Sequence, residues 1–353
     1  MREKRLRELR EKMASRQLDA VYLCQSENLF YLTGFSGTTG AAYVTAERIF
    51  LLADSRYTEQ AEAECAGCEI VLSERPFEVN RVYDGEKRVG FEEDAVSYEL
   101  YGKVLSRLGE GTELIGAAEI LRELRAVKDG EELEKIRRAV TIADSAFHHI
   151  LPFIKEGVSE IDIATELDFH MRKEGASGPS FDIIVAAGER SALPHGVAGK
   201  RKLKAHEPLL MDFGCVYEHY CSDMTRTVFL GDPGEEVRGL YAVVKEGQKR
   251  GHANCLIGKP IRFAEAAVRS YFSSLELDRY FGHSLGHGVG LMIHEDPFVN
   301  KSNEAVFRPD MVYTVEPGIY IPGACGVRIE DMAVMTRQGP RILTESPKEL
   351  IVL

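Results

Sequence analysis

The sequence predicts a two-domain protein in which an α/β unit precedes an α+β unit. Its 353 residues exceed what one hydrophobic core usually organises. Between Asp19 and about Gly116, short β-branched or apolar runs alternate with helical patterns, which indicates a mixed sheet. After a long amphipathic stretch the order changes: helices come first, and the tail is mostly strand and glycine-rich turn.

The opening segment MREKRLRELREKM is charged and places Leu6, Leu9 and Met13 at helical spacing. The first domain then reads as DAVYLC, a helical stretch through Phe30, AAYVT, RIFLLA, a helix from about Tyr57, EIVL, KRVGFE and a helix over residues 98–108. Leu121, Leu124, Val127, Leu133, Ile136 and Ala139 recur at helical intervals within residues 119–150, interrupted at Asp129-Gly130. The domain boundary is placed beside that interruption, with residues 1–124 before it and 125–353 after it. Beyond two helical patterns come FDIIVAAG, LLMDFG, a return strand over residues 220–230, a helix over residues 234–254 and the strand-rich tail over residues 284–334.

A formal charge of -12 argues against nucleic acid or an anionic membrane as the main partner, since both need a basic face. The basic cluster of Lys200, Arg201, Lys202 and Lys204 reads as a solvated hairpin face. No run approaches the roughly 18 apolar residues of a membrane span, and the N-terminus has no apolar stretch suited to a signal peptide. The seven cysteines are scattered singly apart from Cys65 and Cys68, so a reducing cytoplasm is the expected compartment.

The chemistry lies in the second half. Asp212, Asp223, Glu316 and Glu330 each sit in or at the edge of an apolar, strand-like run, and His287 lies between glycines in GHGVG, where backbone is able to approach an ion closely. Buried acids are costly unless paired or metal-bound, and no Lys or Arg cluster nearby is large enough to compensate four of them. Two divalent cations would neutralise four carboxylates. Oxygen-rich ligation with a single imidazole favours Mn²⁺, with Co²⁺, Fe²⁺ or Zn²⁺ also suited, because thiolate is absent from the set. An echo supports the grouping: Asp212 and Asp223 flank one turn-rich segment, Glu316 and Glu330 another, as in two halves of a pseudo-symmetric, barrel-like sheet.

These segments resemble the pita-bread metallopeptidases, in the aminopeptidase P and prolidase branch. YLTGFSG and LLADSRY resemble the creatinase/prolidase-type N-terminal domain, while SFDIIVAAGERSALPHG, MDFG, SDMTRT, HSLGHGVGLMIH, VEPGIY and VRIED are similar to the catalytic domain in order and spacing. The resemblance implies hydrolysis of the bond between any residue and proline, with Asp212 on one ion, Asp223 and Glu330 bridging both, and His287 with Glu316 completing the other shell. It further implies that His195 and His294 contact the scissile carbonyl, that Glu316 shuttles a proton, that Arg328 stands beside the bridging Glu330, and that Tyr320 contacts substrate. Family members commonly form homodimers. Met292 stands where the family often has an acidic residue, which alters a pocket wall and no implied ligand.

Other readings fit less well. GFSGTTG is not a nucleophile elbow because Thr38 replaces its last glycine, GHGVG lacks the dinucleotide-binding spacing, and HEDPF is not HExxH. His283 reads as a packed histidine. A prolidase restricted to dipeptides, and a non-catalytic binding protein on the same fold, are the alternatives. They differ from the leading reading in a basic wall for the dipeptide carboxylate and in loss of ligands, respectively.

Overall fold

The structure, a computed structural model, describes residues 2–353. The chain divides into two compact units, one ending at Arg125 and one starting at Ala126.

The first unit carries one six-stranded mixed sheet. Its strands are β1 (Ala20–Leu23), β2 (Ala41–Thr45), β3 (Ile49–Ala53), β4 (Glu69–Leu72), β5 (Arg88–Phe91) and β6 (Glu113–Gly116), in the order β4-β3-β2-β1-β5-β6. β1 pairs antiparallel with β2 and parallel with β5, and every one of its residues is buried, which is why AVYL is an unbroken apolar run. β6 has only Leu114 and Ile115 as apolar residues, gives no strand signal of its own, and is defined by parallel pairing with β5. The helices of this unit are α1 (Arg2–Ser15), α2 (Ser26–Thr33), α3 (Thr58–Glu64) and α4 (Tyr98–Leu105).

The amphipathic stretch resolves into α5 (Ala118–Ala126) and α6 (Gly130–Ile150). Asp129 causes the break: its side chain accepts from the amides of Glu131 and Glu132, and Glu132 returns a bond to the Asp129 amide.

The second unit is built as two matched halves. In the first, α6 and α7 (Glu160–Lys173) cover an antiparallel sheet of β8 (Ile184–Ala187), β9 (Glu207–Phe213) and β12 (Met224–Leu230); β7 (Gly178–Pro179), β10 (Cys215–Tyr217) and β11 (Tyr220–Cys221) form a small sheet beside it. In the second, α8 (Gly234–Asn254) and α9 (Arg262–Ser273) cover β13 (Gly286–Gly288), β14 (Glu295–Val299), β15 (Val312–Val315), β18 (Asp331–Thr336) and β19 (Gly339–Ile342), with β16 (Gly318–Ile321) and β17 (Cys325–Arg328) as a two-stranded offshoot. The return strand expected over residues 220–230 is thus interrupted at Ser222 and Asp223, where the chain leaves the small sheet and joins β9.

Alternation then places the acids. Met211 and Phe213 pack into the core beneath α6 and α7, so Asp212 between them faces the opposite side of β9. β15 sends Tyr313 and Val315 into the core beneath α8 and α9 and is followed at once by Glu316, while Glu330 precedes β18. VRIED alternates imperfectly because Ile329 and Glu330 belong to neither strand: they carry the chain from β17 to β18. The halves are joined where the Glu330 amide donates to Thr225 O at 3.1 Å.

Candidate active site

Asp212, Asp223, His287, Glu316, Glu330 and Arg328 line one cavity of about 430 Å³, with His195 and His294 on its walls. At its floor Asp223, His287 and Glu330 each present a ligand atom within 4.8 Å of the others. His287 Nε2 lies 3.4 Å from Asp223 Oδ2 and 3.4 Å from Glu316 Oε1. The imidazole is oriented by its other nitrogen, which donates to Gly288 O at 3.1 Å and leaves the Nε2 lone pair aimed at the acids.

Arg328 is the buried cation of the group. It pairs with Asp212, donates from Nε to Thr225 Oγ1 at 3.0 Å and from Nη1 to the Tyr320 hydroxyl at 2.7 Å. The resemblance puts it beside Glu330; its direct ion pair is with Asp212 on β9, and Thr225 links it to Glu330 by donating to Glu330 Oε2 at 2.7 Å. The Tyr320 hydroxyl accepts from Arg328 and so donates to His283 Nε2 at 2.9 Å, while His283 Nδ1 donates to Ser284 O at 2.8 Å. Tyr320 therefore braces Arg328 from behind and is not on the cavity wall, whereas His283 is.

The electrostatics of the cavity are set by its crowded acids. Burial and the charges of Glu330, Asp212 and Glu316 hold the Asp223 carboxyl well above its ordinary range. Glu330 is raised by burial and by Glu316 and Asp212, and burial pushes Glu316 up to about 8 against the pull of Arg328. Burial pushes His287 down to about 3, so it stays neutral and able to ligate. Arg328 keeps its proton despite burial because Tyr320, Asp212, Glu316 and Glu330 hold its pKa above the ordinary guanidinium value. Four carboxylates thus face one guanidinium. Asp212 Oδ1, Asp223 Oδ1 and Glu330 Oε1 are buried with no hydrogen-bond partner among the described residues. Oxygen acceptors that are buried, anionic and unsatisfied fit divalent cations, which supply positive charge and accept several oxygen donors at once.

Residues 134–337 match the metallopeptidase family M24, and residues 5–127 match the Creatinase/Prolidase N-terminal domain. The chain belongs to metallopeptidase family M24. An uncharacterised peptidase of Bacillus subtilis, YqhT, is 41% identical over 354 residues, covering 99% of this chain and 100% of the relative. Among solved structures, an Xaa-Pro dipeptidase from Bacillus anthracis superposes with a TM-score of 0.95 at 40% identity, covering 100% of both chains. An X-Pro aminopeptidase from Thermotoga maritima gives 0.87 at 35% identity, covering 96% of this chain and 98% of that one. M24 enzymes use divalent metal ions, and the acid and imidazole cluster of this M24 chain is the place suited to them. Its fold of pita-bread type, with the creatinase-type domain ahead, is the one the resemblance implied.

Several contributors to the M24 site give no strong sequence signal. Thr225 and Thr314 are two: Thr314 Oγ1 accepts from the His287 amide at 3.1 Å and donates to Glu316 Oε1 at 3.3 Å. A small hydroxyl residue in a buried strand beside an acid is the signal that could have found them. The glycines flanking His287 serve neighbouring strands rather than an ion: a Cβ on Gly286 would meet Thr314 O at 2.1 Å, and one on Gly288 would meet Asp296 O at 2.4 Å. The basic cluster near residue 201 is also less solvated than expected, since Arg201 grips Glu207 with two bonds of 2.8 and 2.6 Å while Lys200, Lys202 and Lys204 stay exposed.

Thr225→Val removes the hydroxyl that links Arg328 to Glu330 at almost unchanged volume. Metal affinity should fall about 10- to 100-fold, as for other partners that orient a ligand. Competition against a chelating dye measures it, and Thr225→Ser should retain near wild-type affinity.

Proposed function

We propose that the chain is an Xaa-Pro aminopeptidase, with Asp212, Asp223, His287, Glu316 and Glu330 holding two divalent ions. The observation that carries the reading is the cavity floor, where these carboxylates and one imidazole crowd together around a single guanidinium. Oxygen-rich donation with one imidazole favours Mn²⁺. A bound ion pair would polarise the scissile carbonyl and bring the pKa of a water toward neutrality.

The chain's own residues do the rest. Asp182 on the cavity wall offers the substrate's free α-amine a carboxylate that the proposed ligand set leaves over, so peptides enter amine first. His195 and His294, exposed on the walls, donate hydrogen bonds where negative charge develops on the carbonyl, each worth about 3–4 kcal/mol in comparable sites. Glu316, at the edge of the floor, takes the proton from the attacking water and passes it to the departing prolyl nitrogen. Phe181, Ile184, Val197 and Phe298 supply apolar walls, which reward a proline ring that has no N–H to satisfy.

Peptide length is supported by charge. Among the described residues lining the cavity, Arg328 is the only Lys or Arg, it is already committed to Asp212, and Asp182 adds an acid to the wall. A dipeptide's C-terminal carboxylate would find no free cation there, so longer Xaa-Pro peptides fit better than dipeptides. A cytoplasmic homodimer belongs to the same reading, on the family resemblance and on seven free cysteines.

Initial rates on Ala-Pro-Ala, Ala-Pro and Ala-Ala-Ala test it. Ala-Pro-Ala should exceed Ala-Pro in kcat/KM by about tenfold, near 1.4 kcal/mol, and Ala-Ala-Ala should be barely cleaved. Faster cleavage of Ala-Pro would establish the dipeptidase alternative instead.

A further inference from the structure

A second cavity of about 510 Å³ adjoins the first and shares its Pro194; the others lining it are Arg279, Tyr280, Gly282, Tyr320 and Pro322. Tyr320 forms the partition, since its hydroxyl bonds Arg328 and His283, both of which line the first cavity. The walls of this second groove contain no acid and one cation, Arg279. Arg279 is exposed, lies over the Tyr280 ring at 4.8 Å to its centroid, and makes no ion pair among the described residues. An arginine held on an aromatic face keeps its planar fork open to an anion, because the ring covers one face of the guanidinium and leaves the edge donors free.

Asp182 on the wall of the first cavity and Arg279 in the second carry opposite charges, and a peptide is a dipole. Its ammonium end belongs beside Asp182. The far side, toward His283 and Tyr320, is aromatic and imidazole-lined, with those rings 5.6 Å apart, and it leads to Arg279. We propose that this groove is the exit subsite for the part of the peptide beyond proline, and that Arg279 binds its C-terminal carboxylate. The inference rests on the Xaa-Pro reading and adds a length-sensing element to it: Arg279 rewards a carboxylate placed one or more residues past the proline, which a dipeptide cannot present. Arg279 is a specificity residue and takes no part in bond cleavage.

The experiment compares kcat/KM for Ala-Pro-Ala, Ala-Pro-Ala-Ala and Ala-Pro-Ala-Ala-Ala as free acids and as C-terminal amides, in the wild type and in Arg279→Gln, with the metal-loaded full chain. At the preferred length the wild type should favour the acid over the amide about tenfold, mainly through KM, and the preference should shrink as salt is raised. In Arg279→Gln the acid-to-amide ratio should fall to about one, and Arg279→Lys should recover part of it. A wild-type ratio near one at every length, or an unchanged ratio in Arg279→Gln, would overturn the assignment of Arg279. Cleavage of no peptide, acid or amide, by the metal-loaded enzyme would instead overturn the Xaa-Pro reading itself, so the two failures are distinguishable.

Discussion

Asp223→Asn should lower kcat/KM by more than about 1,000-fold, roughly 4 kcal/mol of transition-state stabilisation, while making the metal-free protein more stable. Both effects come from one cause. Asp223 is 5% exposed, and burial with Glu330, Asp212 and Glu316 disfavours its charge. An amide of the same shape relieves that repulsion and gives up a ligand. The same logic fixes the pH response of chelated wild type. Glu316 has an ordinary pKa of 4.5 that burial raises to about 8 in the folded chain. The folded state therefore keeps a proton on Glu316 that the unfolded chain releases, so the contribution of that proton to stability is fully present below pH 4.5 and is lost as pH rises through 8. Thermal unfolding in EDTA should show a midpoint that falls from pH 6.5 to 8, above the range in which the depressed pKa values of His287 and His283 oppose the trend, with a shallower fall in Asp223→Asn and a fall abolished by Mn²⁺ in the wild type only. A midpoint that rises over that range in EDTA would contradict the charge account.

Arg226→Met should destabilise the second unit by about 3–5 kcal/mol, lowering the melting temperature by about 10 °C, because it removes one cationic partner of a buried acid and leaves the buried carbonyls it bonds without a donor. Arg226 is 1% exposed; it donates to Asp331 Oδ1 at 2.7 Å and to the carbonyls of Pro347 at 3.0 Å, Thr225 at 2.9 Å and Ser346 at 2.7 Å, and also to that of Glu330. Asp331 is 0% exposed and keeps its charge through His252, Arg226 and Lys348, which overcome the burial that opposes it. Since Arg226 also grips the Glu330 carbonyl, metal affinity should fall together with stability. Arg226→Lys keeps the charge and loses the fork, so it should recover less than half of the loss. Calorimetry and metal titration of both variants check this, and a melting temperature within about 2 °C of wild type for Arg226→Met would contradict it.

Legibility in the sequence followed the range of the interaction. Local patterns sufficed where one segment decides the outcome. The capping signal at Asp129 splits two helices, AVYL reads as a strand buried on both faces, and residues 234–254 read as a helix over the span now seen for α8. The acids were conspicuous because an apolar strand such as LLMDF has no reason of its own to carry one. What was hidden depends on which strands meet. Arg328 finds Asp212 across 116 residues, Thr225 finds Glu330 across 105, and Gly286 makes room for Thr314 rather than for an ion. No periodicity encodes those partners. His283 read as a packed histidine for the same reason: its Tyr320 partner lies 37 residues away, and only that pairing puts it on the cavity wall.

Metal content, read against activity, bears most directly on the claim that divalent cations compensate the clustered carboxylates. Equilibrium dialysis of the full chain against Mn²⁺, followed by elemental analysis and an Ala-Pro-Ala assay on each fraction, should give about two ions per chain, with turnover that tracks occupancy and vanishes in chelator. Full turnover by a chelated, metal-free chain would contradict it.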